Sequence, residues 1–403
     1  MDTDITAPKL SFFARLGQKT DRIILILVIF LTAVSIVMVY SMRGNVVLQH
    51  LKHLLFGYAG MFVLYKVDYR KLGVLAPFFL FFAAALLVLT MLSQAVRGVT
   101  IFGRDVQTFY FIGFLIIFYI ANYIARQYHN HGELTEANVR YLFLLLGAFC
   151  VGIATMNMST AIILFGTGLV IFFVGGVKLK DLGVMIGIVA SILIVAVIVV
   201  ANLSDERKAN IGRMATFINR WEYYITKENV NGYGDQMILA RAAIARSGFN
   251  PAGPGKGVIK NRLPEKETDY AFASLFEETG IIVGTLVLMS YLVIFYRARK
   301  IAKEATGTFG RLLAFGIGFW FTCQAIVHIG VNCELLPTTG QTLPFISSGG
   351  ASLFVSGCAI GMLLNIGKVS YLENQKEDPL EMLRRRKGDE ETMKNDETTM
   401  KQR

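Results

Sequence analysis

Charged residues are scarce in this chain: Asp, Glu, Lys and Arg make up 17% of its 403 residues, whereas apolar and aromatic residues make up 54%. Ordinary soluble domains carry about 25% charged residues. The shortage therefore excludes a soluble globular protein of this size. The net charge of +11 is accounted for by basic residues in the loops of a membrane protein, so it requires no nucleic-acid partner.

Three further absences narrow the class of protein. The cysteines are few and lack the spacing of metal ligands, so we predict that they pack within or beside apolar segments. The first apolar segment has no small-residue cleavage site, which predicts that it is not a cleavable signal peptide. No internal repeat is found in the sequence, which argues against transporters built from inverted halves.

Long apolar segments, by contrast, are abundant. A helix that crosses a bilayer needs about 20 mostly apolar residues. Ten segments approach or exceed this length, and they cover residues 22–41, 51–66, 72–93, 109–125, 140–156, 159–177, 182–202, 271–296, 312–331 and 345–366. The sequence therefore predicts an all-α polytopic membrane protein with about ten transmembrane helices.

Basic residues indicate how these helices are oriented. An even number of spans places both termini on one side, and short cytoplasmic loops carry an excess of Lys and Arg. This excess falls in the loops on the side of the termini, for example at Arg126, Arg297 and Lys300. We therefore expect both termini in the cytoplasm and a large extracytoplasmic loop, residues 203–270, between spans 7 and 8.

These boundaries divide the chain into three parts. Residues 1–20 form a cytoplasmic leader, and residues 21–368 form one membrane domain. Residues 369–403 form a charged cytoplasmic tail, which has almost no apolar periodicity. Such a composition predicts disorder.

The stretch RLPEKETDYAFASLFEETG (residues 262–280) places several acids at the mouth of the eighth predicted span. Asp269 comes just before the apolar run, where partial desolvation raises the pKa of a carboxyl group and makes it a better proton acceptor. Glu277 and Glu278 lie about two to three turns deeper, where ionisable groups face the protein interior or a wet cavity. The alternative is that these acids only complement the dipole at the start of a helix.

A second unusual stretch, LLPTTGQTLPFISSGGAS (residues 335–352), leads into the last span. Pro337 and Pro344 bracket a tight loop, and Gly349, Gly350 and Ser352 open the helix. Free backbone N–H groups at a helix start can hold an anion, although small residues there also permit plain helix packing. Basic side chains in residues 203–270 could bind a phosphate-bearing lipid head group, unless they are simply solvated.

These two stretches, together with DRIILILVIFLTAVSIVMVYS (residues 21–41) and NMSTA (residues 157–161), resemble the SEDS family (shape, elongation, division and sporulation). The family contains the bacterial FtsW, RodA and SpoVE proteins. The matching stretches follow the family's order over nearly the whole membrane domain. TGQTLP and VMVYS are more similar to the FtsW form than to the RodA form.

The resemblance implies peptidoglycan glycosyltransferase activity. Members polymerise lipid II into glycan strands at the outer face of the bacterial inner membrane and release undecaprenyl pyrophosphate. An FtsW-like member would act in septal wall synthesis during cell division, and a RodA-like member in elongation. The essential acid of the family falls on Asp269, with the role of general base. The implied partners are a class B penicillin-binding protein, which is the transpeptidase, and other divisome components.

The resemblance and the charge pattern also suggest residues that bind the substrate. Arg213, with Lys256 or Lys260, would stabilise the departing pyrophosphate. A divalent cation, Mg²⁺ or Mn²⁺, could share this task, although the sequence contains no cluster of metal ligands. The expected substrate-binding residues are Arg213, Lys256, Lys260, Glu277, Glu278, Arg104, Gln107, Ser347, Gly349 and Gly350.

The fourth span departs from the family pattern. Members carry a stretch of the form RW…G…QPSE..K before this span, whereas the chain reads RGVTIFGRDVQTFYFIGF. Gln107 can be matched, but the family's carboxylate falls on Tyr110 and its lysine on Gly113. Ser348 replaces the usual tyrosine before the double glycine. Arg104 and Asp105 could substitute from the preceding loop, or the enzyme could be weak or depend on a partner.

Two other functions fit parts of the sequence. A lipid II flippase could use a cavity lined by Glu277 and Glu278, although Asp269 at the outer rim suits surface chemistry better. A non-catalytic member could serve as a scaffold for the penicillin-binding protein, and the altered fourth span favours this alternative.

Overall fold

The structure is a computed structural model that describes residues 21–42, 46–93, 99–101, 104–201, 220, 223–226 and 234–401. This part of the chain is almost entirely helical. Its helices are α1 (Arg22–Met42), α2 (Val47–Lys66), α3 (Tyr69–Gly73), α4 (Ala76–Leu92), α5 (Thr108–His131), α6 (Glu136–Ala154), α7 (Met158–Val174), α8 (Leu179–Ala201), α9 (Asp235–Ser247), α10 (Ala271–Glu304), α11 (Thr308–Asn332) and α12 (Gly350–Lys401).

Each of the ten apolar segments overlaps one long helix, which confirms the prediction of an all-α polytopic membrane protein. Within the described residues, six helices are long and apolar enough to cross a membrane: α1, α5, α6, α10, α11 and the first half of α12. Two more apolar helices, α4 and α7, are shorter. The total of ten spans and the orientation of the bundle stay predictions.

A small β-hairpin precedes α5 and was not predicted. Strand β1 (Val99–Ile101) pairs antiparallel with β2 (Arg104–Val106), so that Val99 lies opposite Val106. The β-branched residues Val99, Thr100, Ile101 and Val106 favour this extended pairing. The hairpin places Arg104 in β2 and leads directly to Gln107, which stands at the N-cap position of α5 without a side-chain cap bond.

Helices α5, α11 and α12 lie inside the bundle, because most of their apolar residues are buried, whereas much of α1, α6 and α10 is exposed. The exposed residues are apolar, as expected for surfaces that contact lipid. The backbones of α12 and α2 are in direct contact. A Cβ at Gly357 or Gly361 would collide with the backbone of Gly57 or Met61, so small residues permit this approach.

Helix α10 is interrupted near the functional residues. Gly280 has φ 72° and ψ −170°, a conformation that L side chains rarely adopt. The N–H of the next residue, Ile281, donates to the carbonyl of Gly248 at 2.9 Å. The interruption thus joins α10 to the end of α9 and separates a short first segment of α10 from the long membrane-crossing segment.

Helix α12 runs from Gly350 to Lys401 and so includes most of the C-terminal tail. The disorder of residues 369–403 stays a prediction. The tail is rich in Glu, Lys, Arg, Leu and Met, which are good helix formers even without an apolar face. Its first turns are also held to the bundle, because Arg70 pairs with Glu373 and donates to Thr306 at 2.9 Å.

Candidate active site

Residues 337–347 of the loop between α11 and α12 are mostly buried although they have no regular structure. Gln341, Thr342, Leu343 and Ser347 are each at most 1% exposed. Buried backbone and side-chain polar groups need hydrogen-bond partners. Gln341 finds them on α7, because its amide nitrogen lies 2.6 Å from the hydroxyl of Thr160 and 3.1 Å from the Asn157 side-chain oxygen. The loop is therefore fixed within the bundle.

This loop holds the segment that carries Asp269, which is itself 6% exposed. The Ser347 hydroxyl donates to the carbonyl of Thr268 at 2.8 Å and accepts the N–H of Leu343 at 2.8 Å. The N–H of Ser348 donates to the carbonyl of Glu267 at 2.9 Å. The two stretches singled out in the sequence thus meet through the backbone of the two residues just before Asp269.

Helix α10 is capped by side chains of α11, since Tyr270 at its N-cap position makes no side-chain cap bond. The N–H of Phe272 donates to Nε2 of His328 at 3.4 Å, and the N–H of Ala273 donates to Oδ1 of Asn332 at 2.9 Å. Nδ1 of His328 lies 2.7 Å from the carbonyl of Gln341, so it must carry the proton, and Nε2 is the acceptor. His328 is therefore neutral and joins the loop to the start of α10.

Asn332 also holds the backbone of Asp269 directly. Its Nδ2 donates to the Asp269 carbonyl at 3.1 Å and to the His328 carbonyl at 2.8 Å. The pair 328 and 332 has the i, i+4 spacing that puts two side chains on one helix face. That spacing, in a mostly apolar helix just before the loop, is the signal that could have identified both residues from the sequence.

Replacement of Asn332 by Ala should lower the stability of the protein by about 1–3 kcal/mol, because it leaves the buried N–H of Ala273 without an acceptor. The measurement is the thermal unfolding temperature of the purified protein in one detergent. The same substitution at Asn374, which is exposed at the other end of the bundle, is the control and should change little. Equal unfolding temperatures for the Asn332→Ala and wild-type proteins would contradict this account of the cap.

Glu277 and Glu278 bind the glycine-rich segment that precedes Asp269. Glu277 is fully buried and accepts the N–H groups of Val258, Ile259 and Lys260 at 2.9, 2.9 and 2.8 Å. Glu278 is 3% exposed and accepts the N–H of Gly255 at 2.8 Å. Both carboxylates thus face the protein interior, as predicted. They bind backbone N–H groups of the protein itself, whereas the sequence predicted that they bind the substrate.

Lys260 is buried beside Glu278, although the sequence predicted that it binds pyrophosphate. The side chain of Lys260 is 1% exposed and forms an ion pair with Glu278. Its ammonium group also donates to the Ser41 hydroxyl at 2.6 Å and to the Ser41 carbonyl at 3.1 Å. The hydroxyl in turn donates to Glu278. The cluster of Ser41, Lys260 and Glu278 therefore joins the end of α1 to α10.

The contacts of Ser347, His328 and Asn332 form a frame that holds the backbone around Asp269. The remaining predicted residues are scattered around this frame. Lys256 is exposed in the glycine-rich segment, and Gln107 is partly exposed at the start of α5. Gly350 lies where a Cβ would be 3.0 Å from Nε2 of His53, which explains the need for glycine. Gly349 precedes it in the loop. Arg213 lies outside the described residues.

Tyr270 follows Asp269 in the chain and interacts electrostatically with both Asp269 and Arg220. Burial raises the pKa of the Tyr270 phenol to about 12, so the hydroxyl stays protonated. It donates to the side chain of Gln236 on α9 at 3.4 Å. Arg220 donates to the carbonyl of Thr338 in the α11–α12 loop at 3.3 Å. Asp269 thus has a protonated phenol and a guanidinium group in its neighbourhood.

The altered fourth span has a physical explanation in the packing of α5 against α11. The indole ring of Trp320 fills the space next to Gly113 where the Cβ of any larger residue would stand. A lysine at this position would therefore displace Trp320. Tyr110, which the resemblance matched to the family's carboxylate, is 2% exposed and lies against the α11–α12 loop.

Comparison with known proteins places this arrangement in a family. The family model described as "Cell cycle protein" (FtsW, RodA and SpoVE) matches residues 19–372. The chain is 29% identical to stage V sporulation protein E of Bacillus subtilis over 369 residues, which cover 87% of this chain and 97% of the relative. It is also 29% identical over 376 residues to the "Probable peptidoglycan glycosyltransferase FtsW" of Thioalkalivibrio sulfidiphilus, covering 87% and 90% of the two chains.

Solved structures agree with the fold. A chain of a peptidoglycan synthase complex that coordinates polymerisation and crosslinking has a TM-score of 0.70 at 19% identity, covering 87% of this chain and 98% of that one. The rod shape determining protein RodA of Thermus thermophilus has a TM-score of 0.63 at 17% identity, with the same coverage. From its match over most of its length, the chain belongs to the FtsW/RodA/SpoVE family of cell cycle proteins.

Proposed function

We propose that the protein is a peptidoglycan glycosyltransferase that polymerises lipid II into glycan strands at the outer face of the bacterial inner membrane. Family membership supports this proposal, as do several relatives named as peptidoglycan glycosyltransferases. The observation that carries it is the frame around Asp269, in which Ser347 and Asn332 fix the backbone on both sides of one buried acid. Similarity to the FtsW relatives supports a role in septal wall synthesis.

In the proposed reaction, Asp269 is the general base. The 4-hydroxyl of the acceptor sugar attacks the anomeric carbon of the lipid-linked chain, and its proton passes to the Asp269 carboxylate. The new glycosidic C–O bond forms as the bond from the anomeric carbon to the phosphate oxygen breaks. Undecaprenyl pyrophosphate leaves with the bonding electron pair. A base must lie within hydrogen-bond reach of the proton that it removes, so the acceptor sugar would bind directly above the start of α10.

Basic side chains near this point would stabilise the negative charge of the leaving pyrophosphate. Lys256 is exposed and Arg220 is half-buried near Tyr270, so both could reach a phosphate. Arg213, Arg104 and Gln107 stay proposed contacts. Lys260, Glu277 and Glu278 have partners within the protein, and we assign them the task of positioning the glycine-rich segment.

The expected divalent cation has no protein ligand set in the described part of the chain. No group of three or more His, Cys, Asp and Glu side chains there could hold a metal ion. A divalent cation therefore stays a proposal without assigned protein ligands, and the proposed mechanism contains no step that uses one.

A class B penicillin-binding protein is the proposed partner, and other divisome components would complete the assembly. The solved peptidoglycan synthase complex, which has the same fold in one chain, supports a partner of this type. We further propose that both termini are cytoplasmic and that the protein acts at the division septum.

The test is polymerisation of labelled lipid II by the purified protein, alone and with its penicillin-binding partner, followed by separation of the glycan products. Polymer that resists penicillin, which blocks only the transpeptidase, is the expected result. Movement of lipid II across vesicle membranes without any polymer would identify a flippase. Absence of both activities with the partner present would identify a scaffold.

A further inference from the structure

Tyr110 on α5 connects the altered fourth span to the loop that holds Asp269. Its hydroxyl accepts the N–H of Thr342 at 3.0 Å and lies 2.8 Å from the Thr342 hydroxyl. The side chain of Gln324 on α11 lies beside it and influences its pKa. Tyr110 is 2% exposed, so water does not replace these contacts. One phenol thus ties α5 to the α11–α12 loop.

The path from this phenol to the acid is short and consists of three hydrogen bonds linked by neighbouring backbone residues. Thr342 precedes Leu343, whose N–H is bound by Ser347, and Ser347 donates to the carbonyl of Thr268 at 2.8 Å. Thr268 is the residue before Asp269. The Asp269 carboxylate also lies within range of electrostatic interaction with the Tyr110 hydroxyl. The loop at Thr342 is therefore close to the acid in space as well as in connectivity.

On the other side of Thr342, the carbonyl of Gln341 is held by His328, which caps α10 through Phe272. The Thr342 hydroxyl also lies 2.7 Å from the hydroxyl of Ser352 on α12. Displacement of Thr342 would therefore disturb both supports of the Asp269 segment at once, namely the Ser347 bond and the α10 cap.

We infer that Tyr110 is a positioning residue that fixes the α11–α12 loop through Thr342 and so holds Asp269 in register with its substrate. This inference rests on the proposed glycosyltransferase function. Trp320 occupies the space beside Gly113, and Tyr110 takes the place of the family's carboxylate. A neutral hydroxyl therefore supports the loop here without a charged group.

Tyr110→Phe keeps the ring and removes only the hydroxyl. Polymerisation of lipid II should show a kcat lowered on the order of 10-fold, since displacement of a catalytic group by about 1 Å costs up to 10²-fold. The KM for lipid II should stay unchanged, because Tyr110 does not touch the substrate. The matched control is Tyr119→Phe, which removes a hydroxyl from the same helix where it contacts Tyr141 at 2.9 Å, and it should leave the rate unchanged.

Hydrogen exchange and a double mutant distinguish positioning from general loss of structure. Faster exchange in Tyr110→Phe should be confined to residues 265–273 and 341–348. If both side chains act through their mutual contact, Tyr110→Phe combined with Thr342→Val should lose less activity than the product of the two single losses. Independent, multiplicative losses, or unchanged exchange in both segments, would overturn the inference. The exchange result decides it even if the wild-type protein proves inactive, an outcome that would contradict only the proposed function.

Discussion

Replacement of Asp269 by Asn is expected to lower the rate of lipid II polymerisation on the order of 10²–10⁴-fold, the usual contribution of a general base. Asn has nearly the same shape as Asp but cannot take the proton of the acceptor hydroxyl. The frame should survive, because Asn332 binds the backbone carbonyl of residue 269 and Ser347 binds that of Thr268. The change should therefore appear in kcat, with the KM for lipid II and the unfolding temperature close to those of the wild type.

The measurement is the initial rate of polymer formation with the penicillin-binding partner present, in the same detergent for every variant. Glu267→Gln provides the matched control, because it removes a carboxylate two residues away on a partly exposed side chain. It should retain most activity. Asp269→Glu moves the carboxylate outward and should also lose activity, since small misplacements of a catalytic group are costly. Full activity in the Asp269→Asn protein would remove this residue from the mechanism.

The fold could be predicted well from the sequence because hydropathy is a strong local signal. The ten apolar segments each overlap a helix, although six of these helices qualify as spans by length and composition in the described residues. The hairpin at Val99–Val106 was missed because three-residue strands leave no periodicity to read.

The candidate site was predicted only in part, because its key contacts join residues far apart in the chain. The sequence identified the two stretches around Asp269 and Ser347 but not their meeting, which depends on a bond between Ser347 and Thr268. His328 and Asn332 were missed for the same reason, since a capping residue is normally sought just before its own helix. Here the cap of α10 comes from α11.

The predicted depth of Glu277 and Glu278 in the eighth span was informative, but their partners could not be inferred. The position of a carboxylate within a predicted membrane span indicates that it needs a partner or a wet cavity. It does not say that the glycine-rich segment folds back so that its N–H groups supply that partner. Glycine and proline in residues 251–257 allow this return, in which Gly253 and Gly255 adopt positive φ values of 88° and 80°.

Replacement of Lys260 by Met is expected to lower the free energy of unfolding by about 3–5 kcal/mol, the usual effect of removing one partner of a buried ion pair. Glu278 would remain 97% buried with its charge uncompensated by a cation, although Gly255 and Ser41 still bind it. The unfolding temperature should fall by several degrees. A second substitution, Glu278→Gln, removes the remaining charge and should recover much of the loss.

Lys256→Met provides the matched control for this prediction, because Lys256 is exposed in the same segment, four residues away. It should leave the unfolding temperature unchanged and raise the KM for lipid II if it binds the pyrophosphate. The two substitutions are thus expected to have different effects. Lys260→Met should lower the stability of the protein, and Lys256→Met should lower its affinity for the substrate. A Lys260→Met protein with normal stability and a raised KM would contradict the structural role, because its ammonium group would then have to leave Glu278 and Ser41 to reach the substrate.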